Sequence, residues 1–195
     1  MIKRDSLYPT IKFIHRSKLK ALNISNYIIK QYVEQGYFNK INNNYYENLN
    51  YQGDENDFYY VFPYIPQGVV CLMSAAVYHG LSEYRSFQID VAVERQMGQF
   101  KIPDWPAMGI YYFGKKRYEI GILEIDESGN QYKIYDKEKT VCDLLLYRNK
   151  FGLEDALSVL KNYLKKPDRD LNKLVDYAQK LNVFNTLSKY MEVLV

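Results

Sequence analysis

A chain of 195 residues can form one large domain or two small ones, and 47% hydrophobic content marks it as globular rather than disordered. No apolar run approaches the ~20 residues of a membrane span, and MIKRDSLYPT at the start lacks a signal-peptide core, so the expectation is a cytoplasmic protein with no membrane partner. The net charge of +3 is uneven: residues 1–44 hold eight Lys or Arg against Asp5 and Glu34, a +6 head that leaves −3 for the rest.

In chain order, the first predicted element is a short helix capped by Ser17, with Leu19 and Leu22 on its apolar face. Asn23 supplies a tight turn, Ile24 a buried staple, and Ser25 the cap of a second helix. In that helix Ile29, Tyr32 and Val33 share the inner face, while Asn26, Tyr27, Lys30 and Gln31 project outward until Gly36 ends it. Strands at Tyr37–Ile41 and Tyr45–Glu47 then flank Asn42, Asn43 and Asn44, residues suited to a hairpin turn. Helix, turn, helix and hairpin in this order predict a winged helix-turn-helix. A helix expected ahead of Ser17 is interrupted by Pro9.

This head predicts double-stranded DNA as partner, because clustered cations are the footprint of phosphate binding. Lys30 can donate to guanine or phosphate, and Asn26 and Gln31 can pair with adenine. Tyr27 and Ser25 lie at the same helix start. Ser17, Lys18 and Lys20 fall where the first helix would cross phosphates, and Lys40 with the three asparagines would follow the backbone or minor groove. The alternative is a small α+β unit that contacts only protein.

Asn48–Asp57 (NLNYQGDEND) is polar and acidic and reads as a linker, placing the boundary near residue 55. The body, residues 56–195, is predicted as mixed α/β, with short strands to about 135 and helices beyond, so the whole chain is α+β. Strands are expected at Gly68–Leu72, Gln88–Val93, Ile110–Phe113, Ile120–Glu124 and Gln131–Tyr135, with GKKR and DESGN as turns. Ser74 is expected to cap a helix through His79, with Gly80 as its stop. Asp136 caps a helix bearing Val141, Leu144 and Leu145. Leu153–Leu164, Leu171–Leu181 and Leu187–Leu194 mark three more. Cys71 and Cys142 are far apart in apolar contexts and fit two reduced, buried thiols better than a disulfide or a metal pair.

Three phrases of the body are notable together: SAAVYHGLS (Ser74–Ser82), FQIDVAVER (Phe87–Arg95) and YDKEKTVCDLLLYRNKFG (Tyr135–Gly152). Following a winged helix and preceding DLNKLVDYAQKLNV, they resemble the AbiEi family of abortive-infection antitoxins over nearly the whole chain. The resemblance implies an antitoxin of a type IV toxin–antitoxin system for phage defence. It implies promoter inverted repeats as the bound DNA, with repression of the operon. Its functional partner would be a nucleotidyltransferase-like toxin, countered by the C-terminal domain without a stable complex. The implied positions are Ser74, His79, Gly80, Lys139, Thr140, Asp143 and Arg148, all but Gly80 assigned to antitoxin function. The chain departs from the family at its Asn42–Asn44 hairpin tip and in its shortened N-terminal helix.

The same residues have structural readings. A histidine at a helix end bonds carbonyls. Asp143 can pair with Lys139 one turn earlier, for ~0.3 kcal/mol if exposed, and Ser74 and Thr140 can act as caps. QIDVAV offers one carboxylate, Asp90, where two-metal chemistry needs more. There is no P-loop and no dinucleotide fingerprint. The expectation is therefore a non-enzymatic protein without cofactor, metal or catalytic residue. A winged-helix regulator with a sensing body, or a phosphotransferase acting on the toxin, are the alternatives.

Overall fold

The computed structural model describes residues 9–84 and 86–194, the side chains of 193 and 194 excepted. The segment before Pro9, where the sequence leaves a helix open, lies outside the described residues. The chain is α+β, and the described residues form two sheets with helices around both.

The N-terminal module begins with a strand that the sequence did not announce. β1 (Phe13–His15) is followed by α1 (Arg16–Ala21), α2 (Asn26–Glu34), β2 (Phe38–Lys40) and β3 (Tyr45–Asn48). β3 pairs antiparallel with both other strands, in the order β1-β3-β2. The α1 cap corrects the sequence reading: the helix starts a residue before Ser17, and the His15 imidazole accepts from the Ser17 N–H at 3.2 Å. Ser25 does cap α2, accepting from Ile28 N–H at 3.3 Å. Asn23 turns between the helices at φ +58°, a conformation asparagine tolerates. Ile11, Ile14, Leu19, Ile24, Ile29, Phe38 and Tyr46 form the module's own core.

The Asn48–Asp57 stretch is anchored more firmly than a linker: Asn48 is buried, its amide donating to the Ile11 carbonyl at 3.3 Å. A 3₁₀ turn (Asp57–Tyr60) and α3 (Val61–Tyr64) follow, capped by Asn56, and neither was predicted. The body sheet comprises β4 (Val69–Val70), β5 (Ile89–Glu94), β6 (Met108–Phe113), β7 (Ile122–Glu127) and β8 (Asn130–Tyr135), ordered β6-β5-β4-β8-β7. Alternation sorts its residues. Val91, Val93 and Ile134 face a cluster built with Tyr59, Val61 and Ile65. Ala92, Phe113 and Tyr135 face the helical side.

That side carries α4 (Leu72–Tyr78), α5 (Lys115–Glu119), α6 (Lys137–Leu146), α7 (Arg148–Phe151), α8 (Leu153–Lys165), α9 (Leu171–Lys180) and α10 (Phe184–Leu194). Three local expectations change. GKKR is helical rather than a turn. α4 starts at Leu72, so Ser74 lies inside it; its hydroxyl accepts from Asp90 N–H at 2.9 Å instead of capping. β7 sits two to three residues later than expected, because Gly121 at φ +79° turns the chain first. Its Cα is so close to α6 that a Cβ would meet Lys139 Cβ at 2.7 Å. The β7–β8 hairpin turns at Ser128 (φ +55°) and Gly129 (φ +92°), the positive-φ pair that matches strand twist. Among the described residues no helix is long and apolar enough to cross a membrane.

Candidate nucleic-acid interface and body cluster

α2 presents an amphipathic cylinder. Ile29 is buried, with Ile28, Tyr32 and Val33 packed beside it, so residues on the opposite face must point to solvent. Tyr27 and Lys30 are exposed there, Tyr27 by 70%, Gln31 is half-buried, and Asn26 is exposed at the first position of the helix. They are held by weak surface contacts. Gln31 donates to the Tyr27 hydroxyl at 3.1 Å, and Lys30 lies 3.6 Å from Glu34 one turn on. Such exposed i,i+4 pairs stabilise by only about 0.3–0.5 kcal/mol and give way readily to a phosphate. Arg16, not singled out in the sequence, donates from Nη2 to the Asn26 side-chain oxygen at 2.8 Å and ties α1 to the start of α2.

The other predicted contacts lie on α1 and the hairpin, and Lys18 lines a small cavity with Phe62, Pro63 and Gln131 of the body. Ser17 and Lys20 are exposed on α1 and Lys18 half-buried; Lys40, Asn43 and Asn44 are exposed at the hairpin. Asn42 has a structural task. Its side-chain oxygen accepts from the N–H groups of Asn44 (2.8 Å) and Tyr45 (2.9 Å), and its amide donates to the Pro63 carbonyl at 2.8 Å. The hairpin tip is thus closed by an Asx turn and fixed to the body.

The module meets the body along a polar seam. Asn130, at the start of β8, accepts from Lys12 N–H and donates to the Thr10 carbonyl, both at 2.7 Å. Tyr60 donates to Glu47 at 3.0 Å, and Phe13 stacks edge-on against Tyr60 with centroids 4.8 Å apart. The sequence placed Asn130 in the DESGN turn, where its amide also donates to the Glu127 carbonyl at 3.0 Å, but nothing local pointed to its seam role, since Thr10 and Lys12 lie more than a hundred residues away.

In the body, the positions implied by the resemblance fall into two groups. Lys139 and Asp143, one turn apart on α6, are completely buried and hydrogen-bonded to each other. Arg117 from α5 joins them, its Nε and Nη2 reaching Asp143 Oδ1 at 3.0 and 2.9 Å. The cations lie on aromatic faces: Arg117 is 4.0 Å from the Phe113 ring centroid and 4.6 Å from that of Tyr147, and Lys139 is 4.1 Å from that of Tyr135. Burial pushes the Lys139 pKa below its ordinary value, against the pull of the Asp143 carboxylate. The cluster is an ion triad with a buried Lys139–Asp143 pair and a half-buried Arg117, and removing one partner of the buried pair costs far more than losing the exposed pair expected from the sequence. Arg117 was missed because it belongs to a segment read as a turn.

The other group consists of caps and braces. His79 closes α4 and donates from Nε2 to the Tyr135 carbonyl at 2.7 Å; burial lowers its pKa. Thr140 donates to the Asp136 carbonyl at 2.7 Å, one turn back, while the Asp136 carboxylate caps α6 at Lys139 N–H, 2.8 Å, as the sequence predicts. Arg148 donates to the Leu145 carbonyl at 2.7 Å. Ser74 braces Asp90, which is fully buried and accepts from Gln88 (3.1 Å) and Tyr111 (3.2 Å); burial raises its pKa. Cys71 and Cys142 are both free and buried. Among the described residues no group of His, Cys, Asp and Glu is arranged to hold a metal ion. No protein-family model matches the chain, and no curated protein matches it.

Proposed function

We propose that residues 9–48 form a winged helix that binds double-stranded DNA, with the outer face of α2 in the major groove and the β2–β3 hairpin against the backbone. The observation that carries this reading is the exposed row Asn26, Tyr27 and Lys30 on a helix whose other face is sealed into a core, at the front of a basic module. The strand ahead of the helix pair closing the sheet beside the hairpin supports it further. In this reading Lys30 donates to guanine or phosphate, and Asn26 and Gln31 read adenine. Ser17, Lys18 and Lys20 lie along phosphates, with Arg16 steadying Asn26.

Joined to the resemblance of the body's phrases to AbiEi antitoxins, this makes the chain an antitoxin that represses its own operon through promoter inverted repeats. It counters a nucleotidyltransferase-like toxin with a non-enzymatic body and without a stable complex. Inverted repeats suit two molecules per site.

The test of the DNA reading is a shift assay with the chain's own promoter. Lys30→Ala is expected to weaken binding across sequences and to reduce the slope of log K against log salt by about 1. An unchanged affinity and slope would remove α2 from the interface. Co-expression with the adjacent toxin gene tests the antitoxin role: growth is restored if it holds and remains arrested if it does not.

A further inference from the structure

Between the 51–57 segment, the outer side of α4 and the loops at 86–89 and 105–107 lies an open cleft of about 1060 Å³. That volume is at the upper end for small-molecule pockets and has room for several residues of a peptide. Its described lining includes Asp54, Glu55, Asp57 and Glu127 and neither Lys nor Arg, on a protein whose net charge is +3; Lys12, behind Tyr51, offsets Glu55 at 3.2 Å and leaves the other three carboxylates to set the sign. Concave surfaces lined by one sign of charge focus the field and attract the opposite sign.

Glu127 is the decisive group. It is half-buried at the end of β7 and accepts from Tyr59 Oη (2.6 Å), Tyr132 Oη (2.7 Å) and Asn56 Nδ2 (3.2 Å). Burial pushes its carboxyl up, yet these hydrogen bonds outweigh that and leave it below its ordinary value. All three donors are neutral, and among the described residues no Lys or Arg pairs with it. A partly desolvated carboxylate held ionised without a counter-charge is stabilised by an arriving cation. Aromatic rings stand around it: Phe58 and Tyr59 lie 5.7 and 6.1 Å from Tyr132, and Tyr78 lies 6.2 Å from Phe58. Rings beside a carboxylate suit an ammonium or guanidinium group. On the rim, Phe87 and Trp105 are 81% and 70% exposed, an apolar surface that a flanking side chain would cover.

We propose that this cleft is a docking site for a segment of a partner protein in which a Lys or Arg is flanked by apolar residues. The cationic head pairs with Glu127 among the rings, and the apolar flank packs on Phe87 and Trp105. The proposal is independent of the DNA reading, and its test contains no DNA.

Trp105 is the chain's single tryptophan, so its fluorescence reports occupancy of the rim directly. The full chain is titrated with a synthetic hexapeptide of alternating Lys and Leu, with the matching Glu–Leu peptide, and with spermidine. The expected result is a saturable change with the Lys–Leu peptide alone, weakened tenfold or more by Glu127→Gln and by high salt. Phe87→Ser, at an exposed position, serves as the second variant should Glu127→Gln fail to fold by circular dichroism; a severalfold weakening is expected. A response to spermidine but not to the peptide, an equal response to the Glu–Leu peptide, affinity indifferent to a folded Glu127→Gln or to Phe87→Ser, or no response to any probe would each overturn the proposal.

Discussion

His79 and Asp143 are single residues with opposite consequences for stability. His79 is at the C-terminal end of α4, where the helix dipole favours a cation, but burial prevails and its pKa lies below the ordinary histidine value. As pH falls through about 6.5, the unfolded chain takes up this proton before the folded one does. Stability from His79 is therefore complete above that range and declines below it. Thermal melts between pH 7.5 and 5 are expected to show a decline that His79→Gln flattens. Asp143 is different because it is buried and one of its two cationic partners, Lys139, is fully enclosed while Arg117 is half-buried. Asp143→Asn leaves the buried Lys139 ammonium without a counter-charge, and the expected loss is about 3–5 kcal/mol, read by denaturant unfolding. A loss below ~1 kcal/mol would mean that the triad is solvated.

At the scale of elements, the hairpin depends on its tip. Asn42→Ala removes the Asx turn and the bond to Pro63 together, and the expected destabilisation is about 1–2 kcal/mol by chemical denaturation. The elements legible from sequence were those whose determinants lie within a few residues. Ser25 before an amphipathic run gave α2, Asp136 gave the cap of α6, and a leucine repeat gave α8 and α9. The elements that escaped are those decided at long range. β1 is three residues long and exists because β3 pairs with it. α5, in GKKR, carries Arg117 to the α6 carboxylate, a partner twenty-six residues on. The cap at His15 was hidden because serine, two residues on, is the commoner cap. Exposure on α2 could be read from its period. The engagement of Ser74 with Asp90 could not, since it joins a helix to a strand sixteen residues away.

For the whole molecule, the candidate interface and the buried triad occupy separate cores, so damage to one need not reach the other. Between them runs the seam of Asn130, Tyr60 and Asn42, in which Asn130 holds the segment before β1 and the other two hold the hairpin against the body. If the module reads DNA as proposed, fixing it in this way holds α2 and the β2–β3 tip together, which would lower the ordering cost of meeting a groove and the adjacent backbone. The measurement that bears most directly on this is backbone amide NMR during titration with the chain's own promoter duplex. The account predicts shifts concentrated at residues 16–31 and 40–45, saturating together and fading as salt rises. Shifts confined to the body, or an unperturbed α2 at saturation, would contradict it.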